Sequence, residues 1–559
     1  MVARVWRWFT REFSNLHEAA LLLGVAAFSS QLLALIRDRL LATNFGASGQ
    51  LDVYYTAFRL PDLVYATIAS FVSVTVLIPY VVTALTEGDR ERARRLLSSV
   101  LTAFMAVMVV AMTVVWFLLP WLAPRIAPGF DQEQLTLLVT YSRILLLSPL
   151  LLGLSNVLGA VTQSVRQFFV YAASPLLYNL GIIIGVVWLY PRVGPTGLVW
   201  GVVIGAFLHL AIQIPVVWRA GVAPRLVWRL SWSELVTIVR TSLPRTLALG
   251  AHQFTLLALV ALASVIGAGA VSVFNFALNL QSVPLSIIGV SYSVAAFPTL
   301  ARLFSSGQRE EFLSHVTGAL RHVLFWSLPA TVMFIVLRAQ IVRVILGSGS
   351  FDWTATRLTA AALALFVLSV AGQNLIQLFM RGYYACGRTR RPFVLNVVGL
   401  VVSVVTAPVL VWCFRTAPGF RAVVERILRV DAVETTAILM LPLAFSLGVA
   451  VNVGLYWYFF QKDFGRFSRV VDRALGQSAL SSLVAGVVTY QVLGWLAPLV
   501  DQNTFSGIFV QGLVAGLAGL ITLIIILRGF NNREINEIET SLRHKFWRTK
   551  PIAPDPEGL

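Results

Sequence analysis

A charged pair, Arg37-Asp38, sits inside the first long apolar stretch of this chain, and Asp52 and Arg59 follow in the second. The segment reads SSQLLALIRDRLLATNFGASGQLDVYYTAFRLPDLVY. Charge at membrane depth is costly, so it persists where it faces a polar cavity or a partner. Arginine offers a planar fork of N–H donors that holds phosphate oxygens two at a time. A neighbouring carboxylate such as Asp38 can fix the direction of that fork. These residue types suit the binding of an anionic group. The alternative for the pair is a local salt bridge whose ends reach the membrane interface.

Arg59 lies in AFRLPDLVY. Pro61 lacks a backbone donor, so it is expected to interrupt the helix and to turn Leu60 away from helical geometry. A broken helix at membrane depth lines a cavity. Asp62 is placed to pair with Arg59. Asp52 is expected at the start of the second span, where an acid complements the helix dipole. Further on, Gln253, Asn275, Asn279 and Gln281 form a polar stripe that either lines a cavity or bonds between helices. Arg143, Arg245, Arg321 and Arg381 complete the set, with snorkelling to the interface expected for Arg245 and Arg381.

The elements that must position these residues are membrane helices. Of 559 residues, 58% are hydrophobic and only 12% charged, about half the charged share of a soluble domain. Apolar runs of roughly 20 residues recur along the chain, each long enough to cross a bilayer. The expected fold is all-α and polytopic, with about fourteen spans by that length rule. A barrel would show shorter, alternating segments. The net charge of +18 sits in short loops, as membrane orientation requires, with no basic stripe suited to nucleic acid. Basic clusters follow the even spans, as at Arg90, Arg92, Arg94 and Arg95, or at Arg388, Arg390 and Arg391. That alternation puts both termini in the cytoplasm. One odd-side loop carries Arg338 and Arg343; another, from Arg415 to Glu434, mixes charges and reads as an amphipathic external helix. A basic interfacial helix is also expected at the N-terminus, and an amphipathic helix on the cytoplasmic face over Ser231–Ser242.

The chain repeats itself. LIPYVVTALTEGDRERARRLLSSVLTAF aligns with AFPTLARLFSSGQREEFLSHVTGALRHV, pairing Pro79 with Pro298 and Gly88 with Gly307. Gly129-Phe130-Asp131 is echoed by Ser350-Phe351-Asp352, and SPLLYN ending at Asn179 by RPFVLN ending at Asn396. About six spans per half keep one orientation, so the repeat is parallel, and such folds hold their substrate between the halves. The expected divisions are a cytoplasmic segment over 1–16, lobes over 17–230 and 231–462, an added span pair over 463–527, and a basic tail over 528–559. No catalytic constellation, metal spacing or phosphate-binding loop appears, so neither an enzyme nor a cofactor is implied. The cysteines, Cys386 and Cys413, imply no disulfide framework.

The motifs IRDRLLATNFGASGQLDVYYTAFRLPD, SLPRTLALGAHQFTLLALVALAS, VPLSIIGVSYSVAAFPTLAR, and ILGSGSFDWTAT with MRGYYACGRTRRPF resemble the MurJ/MviN family of lipid II flippases, within the wider group of multidrug and polysaccharide exporters. The resemblance implies an inverted-V transporter of the bacterial cytoplasmic membrane. A cationic cavity would bind the diphosphate and head group of an undecaprenyl-linked peptidoglycan precursor, and the last two helices would hold its tail. It implies substrate-binding roles for Arg37, Asp38, Asp52 and Arg59, which keep the family pattern. Other family charges are replaced: Gln31, Tyr65-Ala66, Ser70 and Leu278-Asn279 stand where charged residues are usual. Gln31 thereby joins the cavity candidates. Membrane lipids are implied partners, and cell-wall synthesis proteins possible ones. A coupling ion or the membrane potential could drive the cycle. Two other functions fit the sequence: export of another lipid-linked oligosaccharide or amphipathic molecule, and a non-transporting scaffold for envelope synthesis.

Overall fold

The computed structural model describes residues 16–68, 74–165, 167–227, 232–431, 433–467 and 469–537. The expected N-terminal interfacial helix and the part of the basic tail beyond residue 537 lie outside the described residues. All regular structure among the described residues is helical.

The first half begins with α1 (Leu16–Phe45). Then come α2 (Gly49–Ala57), α3 (Arg59–Ile68) and α4 (Val74–Thr86). The long α5 (Arg90–Ile126) is followed by α6 (Gln132–Leu145) and α7 (Leu147–Ser164). Next, α8 (Phe168–Ile184) passes through a π turn into α9 (Tyr190–Val193). The half closes with α10 (Thr196–Ala211) and α11 (Ile214–Arg219).

The second half opens with α12 (Trp232–Ser264). After it, α13 (Ala270–Pro284) runs through a π turn at Leu285–Val290 into α14 (Ser291–Ser305). It continues with α15 (Arg309–Val336), α16 (Arg338–Leu346), α17 (Trp353–Val367) and α18 (Val370–Ala385). Then follow α19 (Arg390–Thr416), α20 (Pro418–Leu428) and α21 (Met440–Phe464). The final helices are α22 (Arg469–Leu496) and α23 (Phe505–Gly529).

Ten of these helical segments are long and apolar enough to cross a membrane, or eleven if the 41° bent pair α17–α18 counts as one span. The expected count of fourteen is thus not established by length and apolarity. The expected spans at α1, across α2–α4 and at α12 are not among these ten; within the described residues α12 contributes the shorter apolar helix Gly250–Ser264. The Ser231–Ser242 segment is not a separate interfacial helix: Trp232 starts a helix that runs through Pro244 to Ser264.

The chain forms two compact units. The first comprises Met1–Val283, Val342–Phe366 and Arg388–Asn452. Within it, α4, α5 and α7 share a core of Leu77, Val81, Leu97, Val100, Val157 and Val161. Glycines let α8 approach α10 closely: a Cβ built on Gly181 would lie 2.2 Å from Gly205 Cα, the small-residue packing that membrane helices favour. The second unit comprises Pro284–Ile341, Val367–Gly387 and Val453–Leu559. In it α15, α22 and α23 bury Phe325, Met333, Ala485, Leu523 and Leu527. Arg321 of α15 is also buried there, and its Nε donates to Glu534 Oε1 at 2.6 Å.

Candidate functional site: a polar seam joining the repeat halves

The site lies within the first unit and begins with a broken helix. α2 ends at Ala57, and α3 restarts at Arg59. Pro61 has no N–H to give to the carbonyl four residues back, that of Ala57. Ser142 Oγ of α6 donates to that carbonyl at 3.3 Å instead. The break therefore falls at Phe58, not at Leu60. Leu60 is helical, because Pro61 sits in the first turn of α3, where its missing donor has no intrahelical role.

The restart buries Arg59, which is 7% exposed. Its Nη2 donates to Asn275 Oδ1 of α13. Asn275 is oriented by its own Nδ2, which donates to Val271 O at 2.8 Å. Among the described residues, Arg59 Nε has no hydrogen-bond partner. Asp62, half-buried one turn on, makes no ion pair with Arg59. A neutral amide accepts the hydrogen bond from this cation, while the Asp62 carboxylate acts on it through space.

Asp52 is buried in the first turn of α2, but Ser48 is the cap of that helix. The carboxylate reaches across to the start of α13. Oδ2 accepts from Gly269 N–H at 2.6 Å, and Oδ1 accepts from Ser272 N–H at 2.7 Å and Ser272 Oγ at 2.6 Å. An anion at a helix N-terminus satisfies donors that the helix itself cannot. Asp52 thus complements a helix of the opposite half. Gly269, at φ +81°, allows the approach: a Cβ there would lie 2.4 Å from Ala47 O.

The charged pair is a junction. Arg37 Nε and Nη2 meet Asp38 Oδ1 at 2.9 and 2.8 Å, and Nη1 donates to Asn179 Oδ1 of α8 at 3.1 Å. The second carboxylate oxygen of Asp38 accepts from Asn279 Nδ2 of α13 at 3.1 Å. The pair is therefore a local salt bridge that also binds α1 to both halves. One residue on, Arg39 Nη1 donates to Val344 O at 2.6 Å and Ile345 O at 3.4 Å. Cations suit such carbonyls at the end of a helix, here α16.

Two loops related by the repeat complete the seam. Gly129 N–H donates to Ser264 Oγ at 3.2 Å, where the first half meets the end of α12. Ser350 N–H donates to Thr43 O at 3.0 Å, where the second half meets the end of α1.

The structure brings Arg37, Asp38, Asp52, Arg59, Asn275 and Asn279 into one seam. Asn275 and Asn279 act as interhelical partners. Gln281 is buried, whereas Gln31 and Gln253 are half-buried. The Arg245 side chain lies outside the described residues. Arg143 stacks on Trp116 at 3.9 Å, and Arg381 lies over Phe297 at 5.6 Å. Sequence reasoning missed Arg39, Ser142 and Ser272. The carbonyl left over by Pro61 was a signal for a donor such as Ser142. Nothing local marked Arg39, whose partners lie 305 residues or more away.

The fold is that of the multidrug-exporter class of helical transporters. A MATE family transporter of the MOP superfamily, in an inward-facing conformation, superposes with TM-score 0.61 at 12% identity, covering 80% of this chain and 96% of that one. The lipid II flippase MurJ in an inward closed conformation gives TM-score 0.72 at 21% identity, covering 92% of this chain and all of that one. The family described as "Lipid II flippase MurJ" matches residues 41–514, and the chain belongs to it. A relative from Buchnera aphidicola (subsp. Acyrthosiphon pisum, strain APS), named "Probable lipid II flippase MurJ", is 26% identical over 411 residues, spanning 72% of this chain and 80% of its own length. The family is one of multi-pass transporters of the bacterial cytoplasmic membrane, not of enzymes.

Proposed function

We propose that this chain moves lipid II from the inner to the outer leaflet by alternating access, with Arg59, Arg37 and Asp38 as the core of the anion site. The observation that carries the site is Arg59. It is a buried guanidinium held by a neutral amide, with one donor unpartnered and no ion pair to a carboxylate. Burying such a charge costs several kcal/mol unless it is compensated. A diphosphate entering between the halves supplies that compensation. Arg37, already aimed by Asp38 and Asn179, offers a second fork.

The lobes of this cycle are the repeat halves, 17–230 and 231–462, with the termini cytoplasmic and the odd-side loops outside. The Asp52, Arg39 and Asp38 contacts then close the outer face, and outward opening breaks them. The lipid tail and surrounding membrane lipids complete the substrate's environment. Cell-wall synthesis proteins are the proposed protein partners.

The test replaces Arg59 with Ala and with Lys in cells depleted of the native protein. Arg59→Ala is expected to abolish outward exposure of lipid II while the protein inserts normally, and Arg59→Lys to retain part of it. Full exposure with Arg59→Ala overturns the assignment.

A further inference from the structure

The segment between α19 and α21 carries a surface that the seam does not use. α20 follows α19 with only Ala417 between them, so it begins where a membrane span ends. At about 100° per residue, Phe420, Val423, Val424, Ile427 and Leu428 share one apolar arc of roughly 140°. That arc has two sides. Val424 and Leu428 are half-buried, whereas Val423 and Ile427 are 56% and 70% exposed. The opposite face carries Arg421, Glu425 and Arg426, with Arg421 Nε donating to Glu425 Oε1 at 2.9 Å. Span ends marked by exposed aromatic side chains sit at the membrane–water boundary, and Trp412, near the end of α19, is 65% exposed.

The far end of α20 is fastened. Arg429 ends it in a left-handed conformation, φ 60°. Arg357, from the first turns of α17, donates to Arg429 O at 3.0 and 2.7 Å and to Asp431 O at 3.2 Å. Thr436 Oγ1 donates to Glu425 at 2.6 Å. Thr435 packs on Gly267, where a built Cβ would lie 2.7 Å from its Cγ2. Gly267 belongs to the loop whose Gly269 donates to Asp52.

We infer that α20 lies in the membrane interface with its Val423–Ile427 side immersed in lipid, and that its fastened end braces the second half's side of the polar seam against the bilayer surface. A helix with one apolar side and a charged back is built for that boundary. Hydrocarbon is the occupant because the helix leaves a span end directly, with its other apolar side already against the protein. Only the choice of the outer leaflet rests on the orientation proposed above.

The test uses the full-length protein with Cys386→Ser and Cys413→Ser, reconstituted in phosphatidylethanolamine–phosphatidylglycerol vesicles. Spin labels are placed singly at Val423→Cys, Ile427→Cys and Arg426→Cys. The ratio of collisions with oxygen to collisions with a water-soluble nickel chelate is then measured. The ratio is expected to be several-fold higher at 423 and 427 than at 426. Equal ratios at all three positions overturn the lipid assignment. Exclusion of both reagents at 423 and 427 also overturns it, because a protein partner or second copy then covers the face. A Val423→Glu/Ile427→Glu variant is expected to lose lipid II exposure while keeping head-group binding that depends on Arg59. Normal exposure in that variant overturns the bracing role. The label measurement reads position without transport, so it stands or falls apart from the flippase reading.

Discussion

The two halves of the repeat meet with unequal means. The first contributes charge: Asp38, Arg39, Asp52 and Arg59. The second answers with neutral groups: the N–H donors of Gly269 and Ser272, the carbonyls of Val344 and Ile345, and the amides of Asn275 and Asn279. In their shared loop motif, by contrast, the halves behave alike, each presenting a backbone N–H to the helix end of the other. Breaking a buried ion pair costs about 3–5 kcal/mol. A hydrogen bond between a charge and a neutral group contributes about 1.5–3 kcal/mol. Charge set against dipole can therefore hold the halves and still release them. It also leaves Arg59 charge in reserve for a ligand.

The most disruptive way to break this asymmetry is Asn275→Asp, which gives Arg59 a carboxylate from the other half. The seam then holds an ion pair, and transport is expected to fall at least tenfold with normal protein levels, read as lipid II exposed at the cell surface. Unchanged transport would mean that the neutrality of position 275 is irrelevant. Asp52→Ala comes next. It strands the Gly269 and Ser272 donors, each at about 1–3 kcal/mol, and is expected to raise labelling of cysteines placed in the Gly46–Ser48 loop. Labelling at the parental rate would show that Asp52 does not hold the closure. Arg39→Gln removes one cation from the end of α16, worth about 0.3–1 kcal/mol. The same labelling should rise by only a small factor, and a rise as large as that of Asp52→Ala would undo the ranking.

The smallest expected effect concerns Glu425 on α20. Burial pushes its acid up, but the hydrogen bonds from Thr436 and Arg421, with the charge of Arg421, outweigh this and hold it below the ordinary carboxylate value. A lowered folded value stabilises above the ordinary value and is lost as pH falls through the lowered one. Labels at the C-terminal end of α20 should therefore gain mobility only in that acidic range. Equal mobility from neutral pH to acid would remove Glu425 from the fastening.

Much of this was legible in the chain. Charges amid apolar runs marked Arg37, Asp38, Asp52 and Arg59, and the repeat marked Gly129, Ser350 and Asn179. Partners were not legible, because they depend on how distant helices meet. Asp52 read as a complement to its own helix, and only the fold shows that its carboxylate serves α13. Asp62 read as a partner of Arg59 and acts on it only through its charge, whereas the hydrogen bond goes to Asn275, 216 residues away. The break at Phe58 was misplaced by two residues because proline is tolerated in a first turn.

The Arg321–Glu534 contact sets an order of events during synthesis. The guanidinium is made 213 residues before its carboxylate. At roughly 5–20 residues per second, it waits some tens of seconds. Throughout that interval α15 carries a cation without its counterpart, and the segment that brings Glu534 completes the pair. Asn532 prepares its arrival: its Oδ1 accepts from Glu534 N–H at 3.1 Å and Ile535 N–H at 3.3 Å, starting the short helix that presents the carboxylate. A chain that stops before Glu534 never receives its counter-charge, and quality-control proteases would meet it as a protein still being born.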